Sequence, residues 1–430
     1  MMVGDSKFEV SIVMSRKWDG SEVAEEISRK IMKNTSKPPK FILLFTTIHY
    51  KNEFKKLLTG IKKKFSISPL VGCTVAGFMN QDGCFTRGVT ALAVDYSNMD
   101  IFIGVGHNTK KNPEEAASNC AKTIIDGLEN SRYKENFILQ LVSGATVPEF
   151  PGVGKSFVLK GKIKSSFAAK LIETSTKKMQ KGIGREEEIL EKISKLLKNS
   201  HIISASSCDD TSVSENYQFY DEKIFTNSII AICLNTDKKI EINYNHGFHK
   251  FSDDKLKITS ESFDNRIIKK INNNDAVSEF TRTVNWSETT FESIINRKTS
   301  FYNLPTVYFP LGFEYADGTL APAAVGAILG KGFSFNYKIK SDDLFVLTAT
   351  GKDIVNSFDK HINTDSGFIF GISCVGNLVT LGDNVYAIQE RIKNNLNNFL
   401  ILFTLGEGVY IPSEEVPKFF NEANIILSIK

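Results

Sequence analysis

The amino-acid sequence predicts an α/β protein of two tandem domains with mixed sheets, and three observations predict it. The first is a pair of matching stretches far apart in the 430-residue chain. Near the start, Phe41-Ile-Leu-Leu-Phe-Thr-Thr47 is followed by Leu70-Val-Gly-Cys-Thr-Val-Ala-Gly-Phe78. Near the end, Gly367-Phe-Ile-Phe-Gly-Ile-Ser-Cys374 is followed by Asn398-Phe-Leu-Ile-Leu-Phe-Thr-Leu-Gly-Glu-Gly408. Each pair reads as a buried strand ending in hydroxyl or thiol residues, then a second strand ending in a glycine-bracketed turn, where open α/β sheets hold ligands. The second observation is element order. Residues 21–78 and 352–408 both read helix, strand, helix, strand, the trace that a divergent internal duplication would leave. The third is size: 430 residues, 41% hydrophobic and 24% charged, give an ordinary globular composition with room for more than one core.

The elements follow in order. Residues 8–14 alternate as a strand, and residues 21–33 have helical spacing with a Ser-Glu start. Pro38-Pro39 resets the chain before the strand at Phe41. A helix over 51–64, the Gly72 turn, and strands at 88–94 and 101–105 come next, the last two pointing to antiparallel pairs within a parallel core. Asn112-Pro113-Glu114-Glu115 is a well-formed helix start, because Asn can cap, Pro fits the first turn and acids suit the positive end of the dipole. That helix runs to about Leu128 and feeds a strand at 137–142. Residues 143–184 read as exposed loop with weak elements. A helix over 186–197 leads to His201-Ile-Ile-Ser-Ala-Ser-Ser-Cys-Asp-Asp210, a third strand ending in small polar residues, and then to strands at 224–234 and 239–244. The polar stretch around 244–254 divides the chain into domains 1–245 and 246–430. The second domain has strands at 333–339 and 344–349, a helix at 352–361 and the terminal strand-helix-strand unit.

Charge and cysteines narrow the function. Lys+Arg 53 against Asp+Glu 49 leaves a net charge of +4, which argues against bulk nucleic-acid binding, and Lys62-Lys63-Lys64 reads as a solvated helix face. Six cysteines occur without any Cys-x-x-Cys, so reduced thiols and a cytoplasmic location are expected. No run approaches the roughly twenty apolar residues of a membrane helix, and no cofactor is indicated.

Cys73, at a tight strand-to-turn junction, could act as a nucleophile, as could Cys374, but neither has the spacing of a nucleophile elbow or a histidine near in sequence. The main-chain N–H groups of the Gly72–Gly77 turn and the Thr74 hydroxyl could instead hold a carboxylate. If the three strand ends converge, Cys73, Thr74, Ser206, Cys208, Asp209, Ser373, Cys374, Gly406 and Glu407 surround one cavity. Glu407 or Asp209 would then take the amine of a zwitterion. His246-Gly-Phe-His249 has no third metal ligand nearby and reads as a turn. Gly152-Val-Gly-Lys-Ser156 lacks the first glycine of a phosphate loop, and Gly104-Val-Gly-His-Asn lacks the third glycine of a dinucleotide turn. Trp18 and Trp286 are expected to pack.

These residues resemble the FIST sensory domain family over nearly the whole chain, about 38–415. Gly72-Cys-Thr-Val-Ala-Gly77 is similar to its Gly-x-Ser/Thr-x-x-Gly-Glu region, and residues 201–210 followed by Asn216-Tyr217-Gln-Phe219 to its Gly-Gly-x-Ala-Gly-Asp-Asp segment and following strand. His246-Gly247-Phe248 resembles its His-Gly-Trp turn. Ile372-Ser373-Cys374-Val375-Gly376-Asn377 resembles the Ser-Cys-x-Gly-Arg segment of the C-terminal FIST half, and Gly406-Glu407-Gly408 its closing Gly-Glu motif. Phe78, Ser204-Ala205 and Asn377 depart from the pattern. The resemblance implies a FIST N-like domain and a FIST C-like domain. It also implies a stand-alone cytoplasmic sensory module that binds a small polar ligand of the amino-acid class, with His246 among the lining residues, and signals through a separate protein. An interaction scaffold with a vestigial pocket and a cysteine-dependent hydrolase or transferase are the alternatives.

Overall fold

The computed structural model describes residues 7–147, 149–150, 154–155, 158–159, 165–210, 212–295, 305–359, 367–396 and 398–429. It is α/β, with helices and mixed and antiparallel sheets arranged in two halves, as the sequence predicts. Eighteen strands form three six-stranded sheets. In chain order they are β1 (Glu9–Ser15), β2 (Phe41–Thr46), β3 (Leu70–Thr74), β4 (Gly77–Asn80), β5 (Gly83–Phe85) and β6 (Val89–Asp95). The next six are β7 (Met99–His107), β8 (Glu135–Ser143), β9 (His201–Ser207), β10 (Gln218–Tyr220), β11 (Lys223–Phe225) and β12 (Ser228–Thr236). The last six are β13 (Ile240–Asn245), β14 (Phe368–Cys374), β15 (Phe399–Thr404), β16 (Glu407–Tyr410), β17 (Lys418–Phe420) and β18 (Asn424–Ile429).

The three sheets have one topology. Their orders are β1-β6-β2-β3-β10-β11, β7-β12-β8-β9-β16-β17 and β13-β18-β14-β15-β4-β5. In each, the central pair is parallel and every other pair is antiparallel. The chain therefore repeats one unit three times, over residues 9–95, 99–236 and 240–429. Two copies lie in the first half. The third lies mainly in the second half, with its first strand, β13, before residue 246. The sequence match of 21–78 with 352–408 pairs the first copy with the third. The second escapes that comparison because a long segment separates β8 from the helix that precedes β9, spreading its elements apart.

The copies also exchange hairpins in a closed cycle. β4–β5 of the first copy extends the third sheet, β10–β11 of the second extends the first, and β16–β17 of the third extends the second. No copy completes its own sheet, and each central strand that would otherwise be an edge is covered by a hairpin from another copy. This exchange draws the ends of the three parallel pairs to one junction.

Parallel neighbours need a crossover, which helices supply. The helices used below are α1 (Gly20–Asn34), α2 (Phe54–Lys64), α3 (Pro113–Leu128), α4 (Glu186–Leu196), α5 (Gly351–Asp359), α6 (Val375–Leu381) and α7 (Val385–Asn395). Asp19 caps α1, its Oδ1 accepting from the N–H groups of Ser21 and Glu22 at 2.9 and 3.2 Å. The stripe Val23, Ala24, Ile27 and Ile31 then packs with Leu57, Leu58 and Ile61 of α2. Pro113 opens α3 as predicted, but Asn112 makes no side-chain cap. The Gly104-Val-Gly motif proves to be a packing device. A Cβ at Gly104 or Gly106 would lie 1.9 Å from Cys120 O or 2.0 Å from Ala116 O, so these glycines let α3 seat on β7.

Residues 249–348 carry an insertion whose nine strands, joined by Val158–Leu159, make a ten-stranded sheet that the sequence shows only at its end. Buried Arg266 ties it to α4 through ion pairs with Glu187 and Glu188. The backbone N–H of Lys338 also donates to Glu187 at 3.1 Å. Of the segment 152–156, only Gly154 and Lys155 fall among the described residues. Trp286 packs on Phe309, whereas Trp18 is 60% exposed, with the Arg87 guanidinium 4.0 Å above its ring. Among the described residues, no helix is long and apolar enough to cross a membrane.

Candidate functional site

Each parallel pair ends in a register match of small polar residues: Thr46 with Thr74, Ser143 with Ser207, and Cys374 with Thr404. The hairpin exchange stitches these ends together. The N–H of Cys208 donates to Thr74 O at 3.1 Å, that of Ala76 to Phe403 O at 3.0 Å, and that of Leu405 to Ser206 O at 3.1 Å. The three strand ends read from the sequence thus meet, bringing Cys73, Thr74, Ser206, Asp209, Ser373, Cys374, Gly406 and Glu407 to one buried junction.

Their availability differs. In the Gly72–Gly77 turn the amides of Thr74, Val75 and Ala76 donate to Tyr217 O, Thr46 O and Phe403 O. The Thr74 hydroxyl accepts from the N–H of Tyr217 at 3.0 Å. The expected carboxylate cradle is therefore already engaged within the protein, because the exchanged hairpins need those donors. Asp209 is likewise partly engaged. Its Oδ2 accepts from Ser212 Oγ and from the N–H groups of Ser214 and Glu215, while Oδ1 has no partner. Ser373 Oγ accepts from Asn377 Nδ2 at 3.3 Å.

His246 stands apart. Its Nε2 bonds Leu320 O at 2.9 Å and its Nδ1 accepts from the N–H of Phe248 at 2.9 Å, so one nitrogen ties the ring to the strand Leu320–Ala323 and the other serves the turn. Burial lowers its pKa to about 4, and the ring is neutral. With both ring nitrogens bonded within the protein, His246 presents no free ring nitrogen, unlike the unpartnered oxygens described below.

The acidic centre lies at the end of the third sheet. Glu407 is fully buried; its Oε1 accepts from Thr404 Oγ1 at 2.8 Å, and Oε2 has no partner. A second carboxyl reaches it that the sequence did not single out. Glu422, in the turn between β17 and β18, is 2% exposed with Oε2 also unpartnered. Its φ of 58° lies in the left-handed region that a non-glycine residue occupies at a cost of about 1–3 kcal/mol. Gly376 leaves room for Glu422 beside Cys374, since a Cβ there would be 3.2 Å from Glu422 Cγ and 3.5 Å from Cys374 Sγ. Desolvation pushes both carboxyl pKa values well up, and proximity to Glu422 raises Glu407 further. Burial thus biases both towards the neutral acid when no cation is near.

The thiols are equally buried. Desolvation raises Cys73, and Cys208 and Cys374 rise further beside Asp209, Glu407 and Glu422. A thiolate nucleophile needs the opposite environment. A cleft of about 430 Å3 opens beside this centre. Ala76 and Val375 line it next to the strand ends, with His49, Asp210, Asp383 and Tyr386 around it.

The FIST N domain model matches residues 40–274, more than half of the chain. The chain belongs to the FIST family. FIST is a sensory family of signal transduction, and the match runs from β2 past the third strand end of the first half. An uncharacterized protein of Methanocaldococcus jannaschii is 21% identical to this FIST protein over 403 residues, covering 91% of this chain and 69% of that one. A crystal structure of cyanuric acid hydrolase from A. caulinodans aligns with a TM-score of 0.28 at 6% identity, covering 55% of this chain and 73% of that one, too low a similarity to carry an argument. Two departures from the FIST pattern have physical roles here. Phe78 is buried against Phe85, and Asn377 Nδ2 bridges Ser373 Oγ and Asn424 Oδ1.

Proposed function

We propose that this protein is a cytoplasmic sensory module that binds a small polar ligand carrying an amine, with amino acids the leading class, and passes its bound state to a protein partner. The observation that carries the reading is the pair of buried acids, Glu407 and Glu422, each with one oxygen unpartnered, at the junction where three strand ends meet beside a cleft. Buried polar groups are nearly always hydrogen-bonded, so two orphan carboxyl oxygens in one electrostatically coupled centre favour a ligand donor. An ammonium group satisfies both and draws the carboxyl into its ionised form. Family membership supports the sensory role, and reading residues 246–430 as the C-terminal FIST half is part of this proposal. The six free cysteines suit a reducing compartment.

The cysteine-enzyme reading is disfavoured, since the junction raises its thiols and three of the five described histidines hydrogen-bond elsewhere: His49 to Thr47, His107 to Ser228, and His246 to Leu320 and Phe248. The test is thermal and chemical unfolding of the purified chain against a panel of amino acids and simple amines in excess. A ligand at about one hundred times its dissociation constant adds about 2.7 kcal/mol. The expected result is selective stabilisation by an amine-bearing ligand, lost in Glu407→Gln. Stabilisation by none of the panel would reject the reading.

A further inference from the structure

The cleft that opens beside the acidic centre has a largely apolar lining. Val375, Leu378 and Val379 of α6 contribute to it, with Val385 and Tyr386 at the start of α7 and Ala76 at the strand ends. An amphipathic helix normally turns such side chains into the core. Here Leu378 and Val379 are only half-buried and Tyr386 is 48% exposed. They border about 430 Å3 of open space, a volume within the range of small-molecule pockets.

The charged part of the lining has one sign. Asp210 and Asp383 contribute carboxyl groups, and no lysine or arginine is among the described residues that line the cleft. Arg87 follows Thr86 of the lining, but its guanidinium lies 4.0 Å over the Trp18 ring. The backbone offers no cradle for an anion in its place. The N–H of Ala76 donates to Phe403 O, that of Gly376 to Cys374 Sγ, and that of Val385 to the carbonyls of Gly382 and Asp383. The side-chain donors that remain are the His49 ring, the hydroxyls of Thr86 and Tyr386 and the Cys84 thiol, none with a fixed positive charge to offset two acids. A carboxylate placed here would meet like charge, which costs affinity.

We propose that the ligand of this cleft is an amine with an apolar body and no carboxylate, of the arylalkylamine or alkylamine class. The inference rests on the reading of Glu407 and Glu422 as an amine-binding centre and narrows the ligand of that same site. The ammonium lies at the acidic end. The apolar body packs on Leu378, Val379 and the Tyr386 ring, where removing hydrocarbon from water adds affinity without any polar partner. The cleft thereby separates such amines from the amino acids that share their side chains.

Calorimetric titration with phenethylamine, phenylalanine, ethylamine and 2-phenylethanol tests this. Phenethylamine is expected to bind at least about tenfold more tightly than each of the others, which respectively add the carboxylate, lack the ring and lack the amine. Tyr386→Ala, at an exposed position, should weaken phenethylamine about fivefold or more and close part of its lead over ethylamine. Asp383→Asn, also exposed, should narrow the gap between phenethylamine and phenylalanine. Phenylalanine or ethylamine binding as tightly as phenethylamine would overturn the inference and leave the amine site standing. Unchanged phenethylamine affinity in both variants, or binding of none of the four at millimolar concentration, would overturn it too. Equal binding of 2-phenylethanol would overturn the amine site as well.

Discussion

The ends of the second and third parallel pairs occupy the same place in the repeat and behave oppositely. At the β8–β9 end, Ser143 Oγ donates to Asn216 Oδ1 at 2.8 Å and Ser207 Oγ donates to Val142 O at 2.8 Å. Gln218 Nε2 reaches Ser207 Oγ at 2.6 Å, and Asn216 Nδ2 donates to Gly144 O. This web leaves none of the Ser143, Ser207, Asn216 or Gln218 side-chain polar atoms unpartnered. At the β14–β15 end, Cys374 and Thr404 hold the equivalent positions, yet Glu407 and Glu422 each keep a bare oxygen. Equal topology does not imply equal role. A saturated polar web such as that of Ser143, Ser207, Asn216 and Gln218 contributes rigidity, and a carboxyl with a bare oxygen keeps the capacity to recognise a ligand.

Removing the saturated web should have the largest effect on stability. Asn216→Ala orphans buried partners around Ser143 and Gly144, and denaturant unfolding should show a loss of about 3 kcal/mol. A loss near zero would mean that this end is no more rigid than the other.

At the unsaturated end the main loss should be in binding. Glu407→Gln keeps an acceptor for Thr404 but cannot ionise, so calorimetry should show amine affinity falling about 10- to 100-fold, the worth of a charge-assisted hydrogen bond. Unfolding stability should change little at pH 5.

The pH dependence sharpens the contrast further. The folded pKa of Glu407 lies well above its ordinary 4.5, so between 4.5 and that raised value the folded state keeps a proton that the unfolded chain has released. Stability then falls as pH rises through this window and levels off beyond it. Glu186 adds a similar fall between 4.5 and about 7. Unfolding curves from pH 5 to 8 should therefore be shallower for Glu407→Gln than for the natural chain, by up to about 1.4 kcal/mol per pH unit. Parallel curves would show that Glu407 is ionised in the empty fold.

The smallest change belongs to the first copy, whose strand end is also saturated. Thr74→Val leaves the Tyr217 N–H without its acceptor and should cost about 1 kcal/mol without altering amine affinity. A matching loss of affinity would return Thr74 to the ligand-binding set.

Much of the scaffold could be read along the chain. Apolar runs such as Phe41–Thr46 and Phe399–Thr404 are buried strands because both faces are covered, and the stripe of α1 is the signature of a helix with one buried face. The clustering of Thr74, Cys374 and Glu407 was legible for the same reason, since strand ends in α/β sheets are where polar residues gather. Glu422 was not legible. Nothing in Phe420-Asn-Glu-Ala-Asn424 distinguishes it from a surface turn, and it becomes a buried acid only because other strands close over it. Lys110 was not singled out by any local pattern, and Glu186 only as the start of a helix; tertiary packing buries both.

The sequence by itself determined the local elements, the parallel strand pairs and the chemistry at their ends, because periodicity and turn residues act over a few positions. The tertiary structure alone decided that the unit occurs three times, that its hairpins are exchanged, and which polar ends are saturated. Those outcomes depend on pairings between strands hundreds of residues apart, such as Phe403 with Gly77, which no local pattern encodes. The same pairings use the amides of the Gly72–Gly77 turn and leave the oxygens of Glu407 and Glu422 bare.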